Sequence, residues 1–130
     1  MRGFELENRN ALPEAPLDHS GGAFSFMDMD FSKLDGLIPA VIQDDTSAEV
    51  LMVGFMNEEA LQLTRSSGYA TFFSRTRNTL WTKGETSGNR LKVTSMLTDC
   101  DDDTVLLRVT REGQGNVCHT GARSCFRLLR

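Results

Sequence analysis

Hydrophobic and polar residues alternate in short runs along most of this chain, and only one stretch repeats with a helical period. Leu37 to Gln43 reads as a strand, with Pro39 pointing to an edge or an early strand position. Asp44 to Ser47 turn, and Glu49 to Phe55 return as the second strand of a hairpin. Asn57 then caps a helix, with Glu58 and Glu59 in its first turn, Ala60, Leu61 and Thr64 at helical spacing, and Gly68 at its end. Tyr69–Ser74 and Thr79–Thr82 are short strands around an Arg75–Asn78 turn. Leu91–Leu97 and Thr104–Thr110 are two more, and Cys125–Leu129 reads as a closing strand or a short helix. Asp30–Leu34 fits one helical turn capped by Asp30. About seven short strands and one main helix predict an α+β domain, a small, mostly antiparallel sheet or barrel-like body. Met1 to about Phe26 has no period and contains Pro13, Pro16 and Gly21-Gly22. Residues 1–30 therefore read as an extended arm or disordered tail, and 31–130 as the folded domain.

Composition narrows the class. A length of 130 residues suits one domain with a useful core. A net charge of −4 argues against nucleic acid as the main partner. There is no N-terminal apolar segment and no run of membrane-spanning length. Three cysteines that cannot all pair, with no secretion signal, place the expected location in a reducing cytoplasm.

The reactive chemistry is concentrated in Asp99-Cys100-Asp101-Asp102-Asp103 and in Val117–Phe126. Asp99, Asp101 and Asp103 alternate, so in an extended chain they would share a face and repel one another. A hard cation such as Mg²⁺ would relieve that repulsion, and a solvated acidic turn is the plainer reading. An EF-hand is excluded, because Thr104 and Thr110 stand where Gly and Glu are needed. Cys100, on the opposite parity, Cys118 and Cys125 lack the spacing of a ribbon or finger. They suit either a three-thiolate zinc site with an open fourth position or three small core residues. His119 could ligate metal, move a proton or cap a turn. His19 reads as a bystander.

The loop Lys83–Arg90 holds two glycines, two hydroxyls (Thr86, Ser87), a Lys and an Arg. It could offer N–H groups and charge to an anion, or be an ordinary hairpin loop. Arg75 and Arg77, close by in sequence, and Lys83 itself favour phosphate, although each also suits a solvated surface.

Taken together, the stretches LIPAVIQD, VLMVGFMNEEAL, GYATFFSRTRNTLWTKGETSGN, LTDCDDDTVLLRV and CHTGARSCF resemble the phosphoribosyl-AMP cyclohydrolase family of histidine biosynthesis. They run in family order from about Leu37 to the end. The pair DCDxD and CHTGxxSCF is highly specific, and KGETSG adds independent weight. The resemblance implies an intertwined homodimer whose zinc is shared, with Cys100 from one chain and Cys118 and Cys125 from its partner. It implies Asp99, Asp101 and Asp103 as Mg²⁺ ligands, and the Cys/Asp parity then suggests two metals on opposite sides of one strand. The implied substrate is N1-(5-phosphoribosyl)-AMP. Its N1–C6 bond would be hydrolysed by a zinc-activated water, with His119 as proton shuttle. Arg75, Arg77, Lys83, Thr86, Ser87 and Arg123 are the available donors for its two phosphates. Because the chain ends just after SCF, a single-activity form is expected, without the phosphoribosyl-ATP pyrophosphohydrolase domain fused in some relatives. The alternatives are weaker. A nucleobase deaminase would show H-x-E and P-C-x-x-C, a structural-zinc interaction module would need four closed ligands, and a redox protein would need a reactive Cys pair.

Overall fold

The structure, a computed structural model, describes residues 29–129. Its elements are β1 (Ile38–Asp44), β2 (Val50–Met56), α1 (Glu58–Ser67), β3 (Thr71–Ser74), β4 (Thr79–Thr82), β5 (Leu91–Thr98) and β6 (Val105–Arg111). The predicted arm up to Asp28, with His19, lies outside the described residues. Met29, by contrast, is packed into the core at 8% exposure.

Four strands form one sheet in the order β2-β1-β6-β5, and β3 and β4 form a separate hairpin. β1 pairs antiparallel with β2 and parallel with β6, and β5 pairs antiparallel with β6. The sheet is mostly antiparallel, as expected, but open rather than barrel-like, with β2 and β5 at its edges. Among the described residues no seventh strand closes it: Cys125–Leu129 forms neither strand nor helix. The chain there only leans on the edge of β2, where the Cys125 N–H donates to the Leu51 carbonyl at 2.8 Å and the Ser124 hydroxyl to that of Val50 at 2.9 Å. Pro39 sits inside a central strand, and this works because it comes early. Pairing with β6 starts only at Ala40, so the missing N–H leaves no gap in that ladder.

Strict alternation along β1 buries Ile38, Ala40, Ile42 and Asp44 on one face. Against it pack Leu51, Met56, Leu61, Phe72, Leu107, Val109 and Val117. Helix α1 starts as the sequence predicts, with the Asn57 side chain accepting from the Ala60 N–H at 2.8 Å, and it closes at Gly68. Its buried Thr64 hydroxyl accepts from the Thr71 N–H at 3.0 Å and so fixes the helix to β3. Gly54 is required by packing, because a Cβ there would lie 2.6 Å from the fully buried Phe72 ring. Emptying that ring's place with Phe72→Ala would cost about 3–5 kcal/mol. Asp30–Leu34 is a turn rather than a helical turn. The Asp30 carboxylate accepts from the Ser32 N–H at 2.9 Å, which satisfies it locally and starts no helix.

Candidate functional site

Two clusters dominate. The first is the turn that joins β5 to β6. The Asp99 N–H donates to the Thr104 carbonyl at 3.1 Å, and the Asp99 carboxylate accepts from the N–H groups of Asp103 (3.1 Å) and Thr104 (3.3 Å). Asp102 takes a left-handed φ of 59°, which short polar side chains tolerate. The three carboxylates therefore converge around a turn and not along an extended strand. The expectation of two metals on opposite faces of one strand does not hold, because there is no pleat at Cys100. Convergence itself is present: one oxygen each of Asp99, Asp101 and Asp103 lie within 4.8 Å of one another.

That much negative charge needs a cation, and the chain supplies one. The Lys33 ammonium bridges Asp101 Oδ2 at 3.0 Å and Asp103 Oδ2 at 2.9 Å. The Lys33 bond first, with Asp99 helping, holds the Asp103 carboxyl at about 2. Asp103 and then Asp101 raise the ammonium above its ordinary value in return. A site built from oxygen atoms and already bridged by a positive group fits a hard divalent ion.

The second cluster follows β6. The Cys118 N–H donates to the Ala122 carbonyl at 3.0 Å and the Gly121 N–H to the Cys118 carbonyl at 2.9 Å, so Cys118-His119-Thr120-Gly121 folds into a tight turn. The turn brings Cys118 and Cys125 close enough for each thiol to shift the other. The Thr120 hydroxyl donates to Cys118 Sγ at 3.1 Å. Thr120, ahead of Cys125 and the nearby Lys83 charge, pulls the Cys118 thiol below its ordinary pKa. Partial burial first and the Cys118 sulfur second push Cys125 up. Soft sulfur donors suit zinc, and of the two only Cys118 is biased toward thiolate. Cys100 does not join them: among the described residues, the Asp triad is the only trio of His, Cys, Asp or Glu with ligand atoms this close. Among the described residues, Cys118 and Cys125 lie together without Cys100, and no closed group of four possible zinc ligands is present.

The remaining candidates separate. His119 is exposed on the Cys118 turn. Lys83 lies near the thiols, with its ammonium 6.0 Å from the Trp81 ring centroid. Thr86 and Ser87 are exposed in the following loop. That loop is pinched shut at Gly84, where any Cβ would run into the Asn89 backbone. Arg77 is exposed on the β3–β4 turn. Arg75 stacks 4.2 Å from the Phe55 ring centroid, on the wall of a cavity of about 610 Å³ that Lys33 also lines. Arg123 is engaged elsewhere: Glu49 accepts from its Nε at 2.6 Å and from its second nitrogen at 3.2 Å. Lys33 and Glu49 were not marked by any motif, and Thr120 lay inside CHTGARSCF without a role assigned to it. Lys33 lies 68 residues from Asp101, and no local pattern announces such a contact.

Comparison with known proteins agrees on one family. The family model described as phosphoribosyl-AMP cyclohydrolase matches residues 52–127. A protein named phosphoribosyl-AMP cyclohydrolase from Citrifermentans bemidjiense is 60% identical over 98 residues, which cover 75% of this chain and 78% of that one. One of the same name from Listeria innocua serovar 6a is 56% identical over 98 residues, 75% of this chain and 90% of that one. The histidine biosynthesis bifunctional protein HisIE of Bacteroides thetaiotaomicron is 54% identical over 100 residues, 77% of this chain and 48% of that longer one.

Proposed function

The chain belongs to the phosphoribosyl-AMP cyclohydrolase family, and from that premise we propose that it opens the adenine ring of N1-(5-phosphoribosyl)-AMP by hydrolysis in histidine biosynthesis. The match over residues 52–127 carries the reading, because it spans the KGETSG loop, the acidic turn and both C-terminal cysteines.

The substrate's N1 carries a ribose, which leaves the ring amidinium-like and C6 electrophilic. Water adds to C6, the N1–C6 bond breaks, N1 takes a proton and no ammonia leaves. Cys100 of one subunit, with Cys118 and Cys125 of the partner subunit, would hold zinc, and Asp99, Asp101 and Asp103 would hold magnesium. When bound, zinc lowers the pKa of water toward about 7, and magnesium takes hard oxygen ligands. His119, exposed on the turn that carries Cys118, supplies the proton to N1. Lys83, close to the thiols, and Arg75, at the cavity wall, would meet phosphate. The separation of Cys100 from the thiol pair supports a homodimer with a shared site. So do the exposed apolar side chains of Val50, Val53 and Phe126, which offer a surface for a subunit contact.

Purified protein supplied with zinc and magnesium is expected to change the ultraviolet spectrum of phosphoribosyl-AMP, release no ammonia and stop when chelator is added. No turnover by folded, metal-replete protein overturns the proposal.

A further inference from the structure

We infer that Lys33 is a built-in counter-cation of the Asp101–Asp103 pair, that a divalent ion displaces it, and that the freed ammonium then serves an anionic group of the substrate in the cavity it shares with Arg75. The inference rests on the reading of the acidic turn as a magnesium site.

Three observations carry it. The ammonium bridges two carboxylates at 3.0 and 2.9 Å, so it and a divalent ion compete for the same oxygens. Like charges on one pair of oxygens are mutually exclusive, and two charges outcompete one. Next, the backbone beneath Lys33 is fixed while its head is not. The Asp30 N–H donates to the Asp102 carbonyl at 2.7 Å, the Thr98 hydroxyl to Met29 sulfur at 3.4 Å, and the Gly36 N–H to the Phe31 carbonyl at 2.8 Å. The Lys33 side chain is 47% exposed, so the four-carbon stem can swing without moving this anchor. Finally, there is somewhere for it to go. Lys33 already lines the cavity of about 610 Å³, beside Leu37, Phe55, Phe73 and Arg75, with Asp35 as the one carboxylate in its lining, so that the two cations together outweigh it. The Arg75 guanidinium is held there against Phe55. Once released, Lys33 makes this an apolar-floored recess with two cations, suited to a phosphorylated sugar.

Displacement can be read without turnover. The chain has three lysines, Lys33, Lys83 and Lys92. Reductive methylation followed by peptide mass spectrometry should show Mg²⁺ raising the labelling of Lys33 and leaving that of Lys92 unchanged. Mn²⁺ titration followed by electron paramagnetic resonance should show Lys33→Met binding about fivefold more tightly than wild type, the factor that two exposed pairs of this kind contribute. Lys33→Arg should match wild type. Lys92→Met, at the other end of β5 and roughly two Debye lengths away, should stay within about twofold. In turnover, Lys33→Met should raise KM more than it lowers kcat, and Lys33→Arg should restore KM. Unchanged labelling of Lys33, or equal Mn²⁺ affinity in Lys33→Met and wild type, overturns the displacement. An unchanged KM overturns the role in the cavity. If wild type and Lys33→Met both take up no Mn²⁺, the magnesium reading falls and Lys33 falls with it.

Discussion

The acidic turn and the sulfur loop sit on the same small sheet and are built in opposite ways. The acidic turn is gathered within one chain. Its carboxylates Asp99, Asp101 and Asp103 lie within five consecutive residues, the hairpin between β5 and β6 folds them together, and Lys33 bridges two of them. The sulfur loop gathers only Cys118 and Cys125, and its third candidate, Cys100, sits on the other cluster. The supports differ as well. The acidic turn is held mostly by its own backbone and by Asp99, with Lys33 and the Asp30 N–H, which donates to the Asp102 carbonyl, as its supports from outside the hairpin. The sulfur loop is held from far away, by Leu51, Val50 and Glu49 on the β2 side and by Arg111 from β6. A hairpin can organise a hard-ion site by itself. On the function proposed above, a loop hung on a sheet edge, with its third thiol elsewhere, would need a second surface.

The largest effect that would break this contrast is complementation between subunits. Cys100→Ser, Cys118→Ser and Cys125→Ser are each expected to lose tightly bound zinc, read by elemental analysis, and nearly all activity. Mixing Cys100→Ala with Cys118→Ala chains should then restore activity after subunit exchange. With shared sites, one site of each heterodimer carries both lesions and the other carries neither. With sites formed inside single chains, every site carries one lesion. Verified exchange without recovery would therefore mean that the sulfur site closes within one chain, as the acidic one does.

A smaller effect separates the two regions by chemistry. His119→Ala should keep both metals and slow turnover by about 10²-fold or more, the usual weight of a proton transfer in the slow step. Asp103→Asn should keep zinc but lose the response to added Mg²⁺, since carboxylates and thiolates select different ions. Zinc loss from His119→Ala would make the histidine a ligand and redraw the sulfur site.

What the sequence disclosed follows the same division. Asn57, Gly68, the β1–β2 hairpin and the alternation of β1 could be read directly, because capping, turn chemistry and the two-residue period are all local signals. The convergence of Asp99, Asp101 and Asp103 was also readable, though for the wrong reason: the chain turns there instead of running extended. The open sheet was not readable. Whether Cys125–Leu129 closes the sheet or only touches it depends on β2, more than seventy residues earlier in the chain. Lys33 at the acidic turn and Glu49 on Arg123 were hidden for the same reason. Each is an ordinary surface charge until the fold brings a partner from far along the chain.

The smallest effect tests the long-range support of the sulfur loop, through Asp44. This carboxylate is 5% exposed at the end of β1 and accepts from the Ser47 N–H at 2.8 Å, the Ser47 hydroxyl at 2.9 Å and Arg111 Nε at 3.1 Å. Arg111 in turn donates to the Gly115 carbonyl at 2.9 Å, two residues before the buried Val117 that leads into Cys118. Burial by itself would raise the Asp44 pKa, but the Ser47 bonds and the Arg111 guanidinium together outweigh it and hold it below the ordinary carboxylate value. A folded pKa below the unfolded one means that the stabilisation is fully present above about pH 4 and is lost as pH falls through the lower folded value. Asp44→Asn should therefore cost about 1–3 kcal/mol at neutral pH, the range for breaking a buried charged hydrogen-bond group. The gap in Tm between wild type and Asp44→Asn should be constant from neutral pH down to the ordinary carboxylate range and shrink below it. A gap that widens in acid would reverse the sign assigned to Asp44. Hydrogen exchange should speed up at residues 115–118 in the variant and stay unchanged at 99–104, because only the first segment hangs on Arg111. Equal acceleration of both segments would show that the acidic turn is not self-supported, and the contrast between the two regions would be lost.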